Sequence, residues 1–153
     1  MRTVLLFAAI LTLAACATPP PRAAKATTGS TPAAASDALY RALGADAGIA
    51  RLVDAALTRI HGDLRINIFF EHTDLPDLRR LVIEQICAAS GGPCTYSGRS
   101  MEEAHSGMNL SNADFDAFVG DLVAAMNEVK LAPATQQQVL ALFGPMRTQV
   151  VGQ

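Results

Sequence analysis

The sequence predicts an all-α fold. Apolar residues recur at helical spacing in four separate stretches, and polar capping signals open two of the segments. No run alternates with period two for long enough to make a strand. Ile49, Leu52, Val53, Ala56, Leu57 and Ile60 form the first stripe, which should end at Gly62-Asp63. Their three- and four-residue spacing puts them all on one helix face. Leu75, Leu78, Val82 and Ile86 form the second, with Leu81 beside it, and Gly91-Gly92-Pro93 stops it. Phe115, Phe118, Val119, Leu122, Val123 and Met126 form the third, opened by the capping box Ser111-Asn112-Ala113-Asp114. Val139, Leu142 or Phe143, Met146 and Val150 form the fourth. Pro145 lies inside it and should kink or end that helix, because its ring clashes with the preceding turn. The last two helices are expected to pair antiparallel.

The long connection between Gly91 and Ser111 breaks this pattern. Ser100-Met101-Glu102-Glu103 is a second capping box, yet Gly107 leaves room for only a very short helix. Long connections in compact domains are often functional. This one holds His105.

The first residues read as a processed leader rather than as part of the domain. Arg2 precedes an apolar run from Val4 to Ala15, too short to span a bilayer and stay there. The run ends Leu13-Ala14-Ala15-Cys16, which resembles the lipobox of bacterial lipoproteins and makes Cys16 the expected lipidation site. Ala17, where an Asp would favour the inner membrane, leans to the outer one. The Ala-, Thr-, Pro-, Ser- and Gly-rich stretch 17–36 cannot bury enough apolar surface to order itself. A tether of that length reaches about 25 Å if flexible, and Pro19-Pro20-Pro21 stiffens it. The expected organisation is a signal peptide at 1–15, a lipidated cysteine and tether at 16–36, and one domain at 37–153. The site is then periplasm-facing and held to the membrane by its lipid.

Loss of the leader removes Arg2 alone, leaving 11 basic against 14 acidic residues. Such a balance gives no electrostatic footprint for nucleic acid, and none is expected as a partner. Cys87 and Cys94 remain. Outside the cytoplasm they are free to form a disulfide; two reduced, buried thiols are the alternative. Their spacing is not the C-x-x-C of redox catalysts.

Few enzyme classes are supported. There is no G-x-S-x-G turn and no phosphate-binding glycine loop, and around His105 no second His, Cys or carboxylate lies at i+3 or i+4 in a zinc-like arrangement, Glu102 and Glu103 fitting the cap better. The three histidines are His61, His72 and His105.

Several short motifs occur in order. They are Leu39-Tyr40-x-x-Leu43-Gly44, Phe69-Phe70, Gly91-Gly92-Pro93, Tyr96-x-Gly98, Met101-x-x-Ala104-His105 and Phe115. In that order and spacing, from Leu39 to about Met146, the chain resembles the group I truncated haemoglobins. Ala45 stands where a second glycine is common. The resemblance implies a two-over-two helical sandwich around haem b, with His105 as the iron ligand. A ligating imidazole normally gives its other N–H to an acceptor, and a carbonyl near the end of the short helix would serve. Phe70 would pack on the porphyrin face and Met101 on the proximal side, with Phe69 and Phe115 completing the lining. Thr73, Arg79 and Arg80 are candidates for the propionates, since carboxylates favour such donors. A solvated face is the alternative for the two arginines.

The departures from the family are informative. Group I members usually carry a tyrosine on the second helix and often a glutamine on the next, both donating to dioxygen. Alignment through Phe69-Phe70 puts Ala56 and Leu57 at the Phe-Tyr pair, and Leu78 and Val82 at the distal positions of the next helix. The distal pocket is therefore expected to be apolar. Gln85, on the same side of the helix, is either a replacement donor or a partly exposed polar residue. Ile86 is a candidate tunnel wall, and His61 and His72 are expected to be exposed. The expected function is a haem protein that binds a diatomic gas at the envelope, as a nitric oxide sink, a sensor or a redox centre. An NO-dioxygenating enzyme would need an electron-donating partner and, preferably, a distal donor. A globin-fold lipoprotein without haem is the third reading.

Overall fold

Seven α-helices and two 3-10 turns follow one another along residues 37–153, the part of the chain that the computed structural model describes. Among these residues there is no strand, and no helix is long and apolar enough to cross a membrane. The expected signal peptide, Cys16 and the tether lie outside the described residues.

The helices are α1 (Ala38–Ala42), α2 (Ala45–Gly62), α3 (Leu75–Ala89), α4 (Met101–His105), α5 (Asn112–Glu128), α6 (Pro133–Phe143) and α7 (Arg147–Val150). The 3-10 turns are Asn67–Phe70 and Gly144–Met146. The four long helices are the four apolar stripes. Pro145 acts as expected: α6 stops at Phe143, the chain passes through a 3-10 turn containing the proline, and α7 resumes. Both capping boxes form. Ser111 Oγ accepts from the Asp114 N–H at 3.3 Å while the Asp114 carboxylate accepts from the Ser111 N–H at 2.8 Å. Ser100 and Glu103 do the same at 3.2 and 3.1 Å. Each such cap typically contributes about 1 kcal/mol. Asp74 caps α3 through the Asp77 N–H at 3.0 Å.

Helix α2 is the hub, packing against both α3 and α5, while α5 in turn meets α6. Ile49, Leu52 and Val53 of α2 are buried with Ile86 of α3, Met126 of α5 and Val139 of α6. The helix α1 has no counterpart among the stripes, because five residues supply only one turn. It closes on α2 so tightly that a Cβ at Gly48 would strike the Leu43 carbonyl. The corner between them turns through two left-handed residues, Gly44 at φ +87° and Ala45 at φ +55°.

Ala45 therefore occupies a conformation that costs an L-residue roughly 1–2 kcal/mol. Part of that is offset because alanine leaves the unfolded chain less freedom than glycine does. Ala45→Gly should stabilise the fold by about 0.5–1 kcal/mol and raise the melting midpoint by about 2–5 °C. Thermal unfolding of the two proteins side by side checks this; a lower midpoint in the variant would mean that the corner is not strained.

Candidate functional site

His105 ends a five-residue helix, a length that cannot persist alone in water. Three restraints hold α4. The Ser100–Glu103 box fixes its start. Its end turns out through Gly107 at φ +81° and Asn109 at φ +50°. The chain terminus then clamps the exit: the Asn109 N–H donates to the Gln153 carbonyl at 2.6 Å and the Gly152 N–H to the Leu110 carbonyl at 2.9 Å. Helix α7 packs directly on α4.

The Nδ1 of His105 lies 2.7 Å from the Met101 carbonyl. A carbonyl can only accept, so Nδ1 carries the proton, and in the neutral ring Nε2 keeps its lone pair for a metal.

His105 lines a cavity of about 530 Å³, within the range of cofactor sites. Leu57 of α2 and Leu78 and Val82 of α3 form one wall, and Phe69 and Phe70 come from the first 3-10 turn. Met101 and Ala104 flank the histidine, and Phe115 and Phe118 approach from α5. Leu57, Leu78, Val82, Phe69, Phe70 and Met101 are only half-buried although all are apolar. Surface of that kind, gathered in one hollow, favours an apolar occupant.

Polar groups enter from the segments flanking α3, with His72, Thr73, Asp74, Tyr96 and Arg99, from α3 itself, with Asp77 and Gln85, and from α5, with Asp114. The Tyr96 hydroxyl donates to the Arg99 carbonyl at 2.9 Å, and burial pushes its pKa up, so it stays a neutral donor. Gly98 makes this possible, since a Cβ there would run into the Tyr96 ring. The Arg99 guanidinium donates to the Glu103 carbonyl at 3.4 Å and forms no ion pair with a carboxylate among the described residues. One imidazole lone pair, apolar walls and one cation without a carboxylate partner suit an apolar metal complex that carries acid groups. Haem is such a ligand.

Known proteins agree. The family model for bacterial-like globins matches residues 38–151. The chain belongs to that family. A group 1 truncated haemoglobin of Tetrahymena pyriformis is 29% identical over 114 residues, covering 74% of this chain and 94% of the relative. One from Mycolicibacterium paratuberculosis is 24% identical over 112 residues, 73% of this chain and 82% of its own. The crystal structure of the Tetrahymena pyriformis protein in its Fe(III) form superposes with a TM-score of 0.72, covering 75% of this chain and 98% of that one. The 2/2 haemoglobin of Synechococcus, solved in the cyanomet state with covalently attached haem, gives a TM-score of 0.70 at 27% identity, with coverage of 75% and 98%. This is a haem-binding globin of the group I truncated type, with the all-helical fold expected from its stripes.

The globin brings most of the anticipated residues together. Leu57, Phe69, Phe70, Thr73, Leu78, Val82, Met101, His105 and Phe115 all line the cavity. Ile86, the candidate tunnel wall, does too.

Arg79 does not, which corrects its expected place beside the propionates. Its guanidinium donates to both oxygens of Asp54 on α2, at 2.5 and 2.9 Å, and holds that carboxyl below its ordinary pKa. Arg80 is likewise engaged, by Asp77, Glu84 and Ser97. Each arginine is engaged by a carboxylate instead. Arg99 was missed in the sequence, although Tyr96-x-Gly98-Arg99 leading into the Ser100 cap was a legible signal.

Gln85 lines the cavity but turns toward sulfur: its amide nitrogen is 3.6 Å from Met101 Sδ and 3.5 Å from Met146 Sδ. His61 is not exposed as expected. Its Nδ1 donates to the Leu57 carbonyl at 2.7 Å, and its ring packs 6.1 Å from that of Phe70, outside the main cavity. His72 is exposed.

The segment 91–100 is pinned to α3 by backbone, disulfide and side-chain bonds, the first from the Gly92 N–H to the Cys87 carbonyl at 2.8 Å. Cys94 is bonded to Cys87, with Cα atoms 5.8 Å apart. The Ser97 N–H and hydroxyl donate to the Glu84 carboxylate at 3.0 and 2.6 Å.

Proposed function

We propose that this globin holds haem b through His105 Nε2 and offers an apolar distal face to a diatomic gas, in the envelope of a bacterium. Bound haem would supply an iron with a coordination position open to the gas. The chain supplies the rest: His105 held in one tautomer by Met101, Phe70 and Met101 against the macrocycle, and Arg99 and Thr73 for the propionates, with the Tyr96 hydroxyl holding the Arg99 backbone in place.

The observation that carries the functional reading is the wall formed by Leu57, Leu78 and Val82, with the Gln85 amide engaged by Met101 and Met146. Dioxygen held at haem gains from a hydrogen-bond donor, while carbon monoxide and nitric oxide need one less. Absence of a buried donor costs roughly 1–3 kcal/mol. That favours a sink, sensor or redox role for nitric oxide over oxygen storage or NO dioxygenation. A haem-free interaction module is disfavoured, because the cavity keeps both its imidazole and its apolar lining. Lipid attachment at Cys16 and a disulfide between Cys87 and Cys94 in the oxidising envelope belong to the same proposal.

His105→Ala should abolish the Soret band of purified protein, or make it depend on added imidazole, while His61→Ala and His72→Ala leave it intact. Unchanged haem retention and axial coordination in His105→Ala would sink the assignment. Cys16→Ser should end lipid labelling and release the protein to the soluble envelope fraction; labelling that persists would place the anchor elsewhere.

The distal reading has its own test. Leu57→Tyr adds a donor to the wall and should slow dioxygen release by about tenfold or more, the kinetic counterpart of roughly 1.4 kcal/mol. Stopped-flow release from wild type and variant decides it. Slow release from wild type that becomes fast in Gln85→Ala would make Gln85 the donor and overturn the apolar pocket.

A further inference from the structure

We propose that Cys87, Cys94 and Asp46 form a second, redox-gated metal site that takes a thiophilic divalent cation such as Zn²⁺ once the disulfide is reduced. None of the three residues lines the main cavity, so the site depends neither on His105 nor on haem.

Three separate elements converge here: the C-terminal part of α3 brings Cys87, the segment after it brings Cys94, and the first turn of α2 brings Asp46. The two sulfurs and a carboxylate oxygen all lie within 4.8 Å of one another. Asp46 Oδ1 is 4.0 Å from Cys87 Sγ. Around a tetrahedral metal with ordinary Zn–S and Zn–O bonds, sulfur and oxygen sit about 3.6 Å apart and two sulfurs about 3.8 Å. Relative to Cys87 the carboxylate is therefore within a few tenths of an ångström of the spacing a shared metal requires. Only the sulfurs must part, by side-chain rotation.

The carboxylate is also oriented. The Tyr40 hydroxyl donates to Asp46 Oδ1 at 2.8 Å, the outer-shell bond that ligating carboxylates commonly make. Gly92 closes the other side, so tightly that a Cβ would come within 2.6 Å of both Cys87 Sγ and the Tyr40 ring. Cys87 is fully buried whereas Asp46 is exposed, which gives a cation an entry path through the carboxylate.

The chemistry balances with a dithiol as reductant. Exchange passes two electrons and two protons to the Cys87–Cys94 bond, yielding two thiols and the reductant's own disulfide. The cation then displaces both thiol protons, and the two thiolates and the Asp46 carboxylate hold it, with water as fourth ligand. Disulfide and metal are thus alternative cross-links between α3 and the segment that carries Tyr96 and Arg99.

The test uses the full chain, reduced by a phosphine under anaerobic conditions and titrated with Co²⁺ and then Zn²⁺. We expect one equivalent of tetrahedral cobalt with thiolate charge-transfer absorption, displaced by zinc, and none in the oxidised protein. Asp46→Asn should weaken zinc binding at least tenfold, and Tyr40→Phe less, because it only positions the carboxylate. Cys87→Ser should lose the band. If that variant unfolds by circular dichroism, alkylation of the reduced wild type must lose it instead. A reduced wild type without a stoichiometric cobalt band overturns the site, and so does an Asp46→Asn protein that binds as tightly as wild type.

Discussion

A helix of one turn cannot nucleate and hold itself in water, and His105, the residue proposed to hold the iron, stands on such a helix. Its position is therefore imposed from outside. The Ser100 cap sets where α4 begins, and α7 and the last residues of the chain set where it ends. The bond from His105 Nδ1 to Met101 is the inner part of the same arrangement, since it needs the α4 backbone to be helical. Pro145 contributes at a distance. By stopping α6 and restarting the chain as α7, it lets the terminus swing onto the Met108–Leu110 strip that follows the histidine. A helix run straight through Val150 would carry the terminus past that contact.

The opposite wall depends on packing rather than on hydrogen bonds. Helix α2 gives Ile49, Leu52 and Val53 to the core, and from the same helix Leu57 faces the cavity, half-buried. Because α2 packs on both α3 and α5, its register is fixed, and the residue at position 57 must line the pocket whatever its chemistry. A leucine there, with Leu78 and Val82 across from it, removes donors while keeping the apolar volume. Gln85 is the nearest amide, and it is held by the two methionine sulfurs, soft acceptors that give weak bonds.

Much of this was legible from residues alone, for identifiable reasons. Long amphipathic helices and capping boxes are local, so Ile49 to Ile60, Phe115 to Met126 and both boxes could be read without the fold. His105 and its neighbours became legible through an ordered set of short motifs, none specific by itself. What could not be read was the competition among partners. The anchoring of Arg79 on Asp54 joins residues 25 apart, and nothing in the order of the sequence says that the aspartate lies within hydrogen-bond reach. The burial of His61 behind Phe70 is similarly a matter of tertiary contact. Helix α1 was missed because one turn shows no period, and Ala45 hid its left-handed backbone because alanine does not announce one.

The segment 91–100 shows how cavity and surface are joined. It carries Tyr96 and Arg99 to the site, and among the bonds that fix it to α3 are two of different chemistry, a disulfide and a carboxylate contact. The disulfide closes a short loop and stabilises by at most roughly 2.5 kcal/mol on the chain-entropy view. It responds to reductant and is indifferent to acid. The Ser97–Glu84 contact responds to acid and is indifferent to reductant. The Ser97 hydrogen bonds, and after them the Arg80 guanidinium, hold the Glu84 carboxyl below its ordinary pKa. Its contribution is therefore complete above the pKa of the unfolded chain and is lost as pH falls through the lower folded value. Reduction and acid thus act on different bonds of one segment, three residues apart along the chain, and the Gly92 N–H bond to the Cys87 carbonyl answers to neither.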